Sequence, residues 1–251
     1  MSRTPNHHRS WSRKFSTGHS NANRLTSTSH FSLIEDHIHT HNFEAIGITE
    51  IFFQKHHQDE TFALEGYNLF RNDRVGKEGG DVALHVCKYW TVKILTKSDP
   101  KFTNKPEYLI SELKTGNYKL LVAVTYRRPS ALSPHALFDA LFAFTFRYQN
   151  IIITGDFKAN LLSPSKPETS ILIKLIKTHA FSIVSTEPTH YLTHSEPPSH
   201  TILDLFIANH NENVIHFSKS ISSFIAGHDF IHLILNIDTP KPSPKTIVCR
   251  N

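Results

Sequence analysis

Apolar positions recur along this chain with two different periods. Eight short runs are β-like: Ala45 to Thr49, Val82 to Val86, Thr91 to Leu95, Tyr108 to Leu113, Lys119 to Tyr126, Ile151 to Thr154, Ile202 to Ile207 and Ile231 to Ile237. Several are almost continuously apolar, which predicts strands covered on both faces. Three stretches have helical spacing instead: Phe31, Ile34 and Ile38; Leu137, Phe138, Leu141, Phe142 and Thr145; and Leu172, Leu175, Ile176 and His179. Before the second, Ser133 is placed to cap and Pro134 to occupy the first helical position, where a missing N–H does no harm. Many strands interleaved with few helices predict packed sheets with helices outside.

The segment Lys77 to Asp81 (KEGGD) lies between strand-like runs and predicts a hairpin turn, because glycine supplies positive φ. A phosphate-cradling glycine loop would need a helix after it, and neither GxGxxG nor GxxxxGK occurs. No repeat of solenoid length is found. Residues 1–14 and 239–251 hold no periodic apolar face, so they are expected to form a disordered basic leader and a Pro/Lys-rich tail around a folded body at 15–238.

Composition narrows the picture. The 251 residues suffice for one large domain or two small ones, and two cysteines, Cys87 and Cys249, are too few for a disulfide framework. No apolar run is long enough for a membrane span or a secretory signal, so a soluble intracellular protein, nuclear or cytoplasmic, is expected. The excess of positive charge sits at the start: Arg3, Arg9, Arg13, Lys14 and Arg24 all precede the first acidic residue, Glu35. Such a leader can touch phosphate backbones, act as a mitochondrial-type targeting segment, or be a solvated tail.

Four polar residues stand where apolar strands end or begin, the usual place for reactive groups in α/β enzymes: Glu50, Tyr126, Asp156 and His228. Each alone has an ordinary account, as a solvated carboxylate, a core-rim phenol or one of 19 histidines. Two features are more telling. The run IIIT ends in Gly155 and delivers Asp156 at its tip, and Asp204 interrupts the apolar run TILDLFIA, where a carboxylate needs a cationic partner. Arg127 and Arg128 suit phosphate if they lie beside such carboxylates. His37, His39 and His41 alternate within a helical stretch, which scatters them around its axis, and His56-His57 lacks an HExxH context, so a dedicated zinc site is not expected.

Nine segments then occur in order: ITE at 48–50, EGYNLFRNDR at 65–74, EGGDVALHV at 78–86, EYLISEL at 107–113, VTYRRPS at 124–130, IIITGDFKANLL at 151–162, PTH at 188–190, TILDLFIA at 201–208 and AGHDFI at 226–231. This set resembles the apurinic-endonuclease-like domain of Jockey-like non-LTR retrotransposons, within the endonuclease/exonuclease/phosphatase superfamily. It extends from about Phe15 to Ile237. The closing KPSPKTIVCRN resembles the linker into the reverse transcriptase of such elements, a polymerase that is not among these 251 residues. The resemblance implies an α/β four-layer sandwich of two facing mixed β-sheets flanked by helices, expected as a monomer. It also implies hydrolysis of DNA phosphodiester bonds with Mg²⁺ or Mn²⁺, leaving a 3′-hydroxyl primer.

Residue by residue, Asn21 in HSNANRL resembles the family's first-strand asparagine beside the metal, and Glu50 its principal metal ligand. Tyr126 matches the tyrosine at the scissile phosphate, Asp156 the acid that aims the water, His228 the histidine that meets phosphoryl charge, and Asp204 its orienting carboxylate. Arg127, Arg128, Lys158 and Thr189 are candidate substrate contacts. Two departures stand out: Lys158 replaces an asparagine, and Gly227 replaces an aspartate. Lys158 either adds a phosphate contact or competes with the metal for Glu50 and Asp156. Asp229, two residues beyond the lost acid, is placed by strand alternation on the same face and is a candidate replacement ligand. The other readings are a catalytically degenerate copy that keeps only the fold and nucleic-acid binding, and a phosphatase of the superfamily acting on a small phosphoester.

Overall fold

The structure, a computed structural model, describes residues 13–239 apart from 130, 132, 193–195 and 221–224. Along the chain come β1 (Arg13–Asn21), α1 (Thr28–His41), β2 (Ala45–Thr49), β3 (Tyr67–Asn72), β4 (Val82–Cys87), β5 (Thr91–Lys97), β6 (Glu107–Thr115) and β7 (Tyr118–Tyr126). They are followed by α2 (His135–Thr145), β8 (Asn150–Asp156), α3 (Pro167–Thr178), β9 (Ser182–Ile183), β10 (His190–Leu192), β11 (Ser199–Thr201), β12 (Asp204–Ala208), β13 (Val214–Ser220) and β14 (Phe230–Thr239). Two six-stranded sheets result, ordered β13-β14-β1-β2-β4-β3 and β5-β6-β7-β8-β12-β9. Each is antiparallel except for one central pair, β1 with β2 and β7 with β8.

Side-chain alternation assigns the layers. In β7, Leu120, Val122 and Val124 face the other sheet, while Leu121 and Ala123 face the helices α2 and α3 through Leu137, Phe138, Leu141, Leu172 and Ile176. In β14, Ile231, Leu233 and Leu235 point between the sheets and Phe230 points outward to α1, where Ile34 and Ile38 cover Ile46 and Ile48. The order is therefore helix, sheet, sheet, helices, which is why so many strands are apolar on both faces.

The eight expected strands and three helices are all present, with end shifts; β12 starts at Asp204 rather than Ile202. Lys77 to Asp81 does lie in the β3–β4 hairpin loop, since Asn72 pairs with Val82. Strands β1, β3, β9, β10, β11 and β13 were not legible as apolar runs. The polar RKFSTGHSN of β1 is buried only because β14 and β2 flank it. Phe142, expected on the buried stripe of α2, is 55% exposed. The helix also starts one residue late, with Pro134 at the cap and Ser133 Oγ accepting the His135 N–H at 3.3 Å.

The leader is shorter than expected. Arg13 and Lys14 pair with Thr239 and Asp238, and Lys14 Nζ lies 2.9 Å from Asp238, so backbone pairing recruits residues that carry no apolar signal. The remaining leader and tail, residues 1–12 and 240–251, fall outside the described residues.

Gly155 is required where β8 runs beside β7. Its φ is +155°, and a Cβ there would overlap the Thr125 carbonyl oxygen. Gly155→Ala is expected to lower stability by at least about 1–3 kcal/mol, the usual cost of overpacking, as a lower denaturant midpoint at unchanged slope.

Candidate active site

The topology brings the functional tips to one end of the sandwich. Parallel pairing sets Tyr126 opposite Asp156, and antiparallel pairing sets Asp156 opposite Asp204. From the facing sheet come Asn21, at the end of β1, and Glu50, just beyond β2. The Asn21 amide Nδ2–H₂ donates to Glu50 Oε1 and to Asp156 Oδ2, both at 2.7 Å, while its oxygen accepts the Asn23 backbone N–H at 2.9 Å. Asn21 therefore presents donors to the carboxylates rather than an oxygen to a metal.

A second group of residues orients the histidine. His228 Nδ1 lies 2.7 Å from Asp204 Oδ2, and His19 Nε2 lies 3.2 Å from Asp204 Oδ1, so each carboxylate oxygen has its own imidazole. Burial works against the His228 imidazolium, yet the Asp204 charge and hydrogen bond outweigh it and raise its pKa above the ordinary 6.5. Burial would likewise raise the Asp204 carboxyl, but His228 and His19 together hold it well below the usual carboxylate range. His190 packs its ring 4.4 Å from that of His228, and burial, then the His228 charge, pushes its pKa down to about 4.

This pair has a defined pH signature. The contribution of His228 to stability is complete below the unfolded imidazole value of 6.5 and is lost as pH rises through its higher folded value. That of Asp204 is present above its unfolded 3.8 and persists down to its lower folded value. Asp204→Asn is expected to destabilise the fold by about 3–5 kcal/mol near pH 6, with the deficit shrinking on the alkaline side. Tm measured from pH 5 to 9 for both chains tests this.

Lys158 occupies the centre. Its Nζ lies 2.7 Å from Asp156 Oδ2 and 3.0 Å from Glu50 Oε1, the same two atoms that Asn21 binds. Burial opposes the ammonium, but Asp156 and Glu50 outweigh it and raise the Lys158 pKa. Burial raises the Asp156 carboxyl, against the pull of Lys158.

The donor set can be weighed against a divalent ion. Ligand atoms of Asp156, Asp204 and His228 lie within 4.8 Å of one another, but both Asp204 oxygens already serve imidazoles. The oxygens that converge on a shared cation are those of Glu50 and Asp156. Their chemistry suits a hard divalent ion, and the Lys158 ammonium stands at the place where they converge.

Three expected residues are placed differently from the sequence reading. Arg127 is buried and donates to the carbonyls of Phe157, Lys158 and Ala131 at 3.3, 3.1 and 2.9 Å, so it braces the loop after Asp156 from within. Thr189 is buried too, its hydroxyl oxygen accepting the N–H groups of Leu203 and Asp204 at 3.1 and 3.0 Å, which seats the orienting carboxylate. Asp229 is drawn to Lys219, with Nζ to Oδ2 at 3.5 Å, and not toward Glu50. The alternation argument fails there because Ala226 and Gly227 have φ of +51° and +79° and belong to a turn, β14 beginning only at Phe230. Arg128 remains at the surface, over the ring of Phe102 at 4.1 Å.

Sequence reasoning missed His19 and His190 as members of the site. His190 lay inside the PTH segment, whereas the only signal for His19 was its place two residues before Asn21 in a strand that apolar periodicity does not reveal.

The two-sheet sandwich is the fold of endonuclease/exonuclease/phosphatase proteins. Residues 120–232 match the family described as endonuclease-reverse transcriptase. The chain is similar in structure to the endonuclease domain of TRAS1, a telomere-specific non-LTR retrotransposon, with TM-score 0.68, 11% identity, and coverage of 90% of this chain and 100% of that one. It is also similar to an AP endonuclease from Archaeoglobus fulgidus (TM-score 0.67, 13% identity, covering 89% and 100%) and to the AP endonuclease LMAP from Leishmania major (0.68, 9%, covering 89% and 88%). At these identities the likeness establishes the fold. No curated protein is a significant match in sequence.

Proposed function

We propose that this chain is a retrotransposon-type endonuclease domain that nicks DNA with a divalent cation, Mg²⁺ or Mn²⁺, to leave a 3′-hydroxyl, and that Lys158 restrains it. The observation that carries this reading is the meeting of Asn21, Glu50, Asp156 and the His228–Asp204 pair, drawn from distant segments, at one end of the two sheets.

Each residue has a chemical task. Asp156, fully buried and held by Asn21, aims the attacking water and accepts its proton. His228, its pKa raised by the Asp204 charge against the effect of burial, donates to the phosphoryl oxygen on which charge develops. Burial, with the charges of Glu50 and Asp156, keeps Tyr126 a neutral phenol able to donate to the scissile phosphate. A divalent cation held by Glu50 and Asp156 would offset phosphate charge. Around Phe102, Arg128 and Lys77 lie 4.1 and 4.7 Å from the ring, a cationic rim suited to a nucleic-acid backbone.

A second reading, a degenerate copy that only binds nucleic acid, is favoured by the same Lys158 contacts. Nicking of supercoiled plasmid in Mg²⁺ or Mn²⁺ separates the two. Slow nicking by the parent chain, abolished in Asp156→Ala, is expected for the enzyme. DNA binding that falls steeply with salt, without nicking in the parent chain or in Lys158→Asn, would establish the binding-only copy.

A further inference from the structure

Away from this site, a second cluster joins α1 to the outer face of β14. His37 and His41 are four residues apart and so share one face of α1, correcting the expectation that the alternating histidines scatter; His39 is the one that turns away, to solvent. His232 reaches them from the same side of β14 as Phe230. The rings of His37 and His41 stack at 4.2 Å between centroids, and that of His232 lies 4.9 and 4.4 Å from them.

We propose that His37, His41 and His232 form a binding site for a borderline divalent metal, Zn²⁺ foremost, that clips α1 onto β14. One nitrogen from each ring can be chosen so that all three lie within 4.8 Å of one another. His41 Nδ1–H donates to the His37 carbonyl at 2.9 Å, which leaves Nε2 with its lone pair free and supplies the backbone partner that metal-bound histidines usually have. His37 Nε2 and His232 Nε2 lie 2.7 Å apart, a spacing at which two ring nitrogens share one proton or, after opening by roughly half an ångström, one metal ion. Phe43 and Phe230 wall the cluster at 5.0 Å from His232 and 4.1 Å from His37. His216 is the other titratable group whose charge reaches His232. Burial lowers His37 to about 4 and His232 to about 3, so both rings are neutral at physiological pH. Three imidazoles select Zn²⁺, Ni²⁺, Co²⁺ or Cu²⁺ over Mg²⁺, and exposed His41 leaves a path of entry. This ion is distinct in place and chemistry from one at Glu50 and Asp156.

The test is titration of the whole chain with Co²⁺, read from its visible d–d bands, then displacement by Zn²⁺. One equivalent bound, with a Tm that rises in Zn²⁺, is expected. His41→Ala and His232→Phe should each lower affinity by at least about 10- to 100-fold, more than loss of an outer-shell partner, while His39→Ala and Asp156→Asn leave it unchanged. Circular dichroism checks that the variants remain folded, and exposed His41 is the change least able to unfold the chain. The proposal is overturned if no saturable binding occurs, which leaves the cluster a hydrogen-bonded pair of rings, or if binding survives His41→Ala and is lost in Asp156→Asn.

Discussion

Lys158→Asn is expected to raise the affinity for Mg²⁺ or Mn²⁺ about 100-fold and to speed plasmid nicking at limiting metal by a similar factor. The ammonium sits 2.7 and 3.0 Å from the two carboxylates that a cation would need. At an effective dielectric of about 20, each such contact is a gross attraction of about 5 kcal/mol, most of it offset by desolvation. A surplus of about 3 kcal/mol corresponds to roughly 100-fold. Backbone conformation favours the change, because Lys158 has φ +44°, a region in which asparagine is enriched among non-glycine residues. Without its ammonium, Glu50 and Asp156 lack their shared cation. The variant should therefore melt earlier in chelator and recover on adding Mg²⁺, while the parent chain responds little. A Tm indifferent to metal in both chains, with weaker DNA binding and a salt slope reduced by about 1 in the variant, would instead make Lys158 a phosphate contact.

Gly227→Asp, which reinstates the acid found at this position in the family resembled, is expected to lower stability by at least about 3 kcal/mol and to restore no nicking. Gly227 has φ +79°, and any Cβ there would overlap the Tyr191 carbonyl oxygen. Its own carbonyl accepts the Tyr191 N–H at 2.9 Å, tying the turn to β10. Strain of this kind costs about 1–2 kcal/mol from φ alone, and the backbone overlap adds to it. Gly227→Ala should cost nearly as much, since the Cβ rather than the carboxylate is at fault; denaturant unfolding of both variants decides. A well-folded Gly227→Asp chain that nicks faster than the parent would mean that the turn 226–229 can rearrange.

These two positions also mark how far the sequence could be read. The change at Gly227 was visible as a missing acid, but its irreversibility was not, because it depends on the carbonyl of Tyr191 from a separate hairpin. For Lys158 two readings stood open, and only the positions of Glu50 and Asp156 around its Nζ favour one. Arg127 looked like a phosphate contact because adjacent arginines usually face solvent. Two carbonyls of the loop after Asp156, with that of Ala131, draw it inside instead.

What the sequence determined by itself was the layered α/β class, most strands, all three helices and the acids at the strand tips. Continuous apolar runs and i, i+4 stripes are local properties, and burial on two faces or one follows from them directly. What the tertiary structure decided was that His19 joins His228 on Asp204, where the Lys158 ammonium rests, and that His232 closes on His37 and His41. Those outcomes depend on strand register and sheet facing between segments as far apart as residues 21 and 228, and no local pattern of side chains encodes that distance.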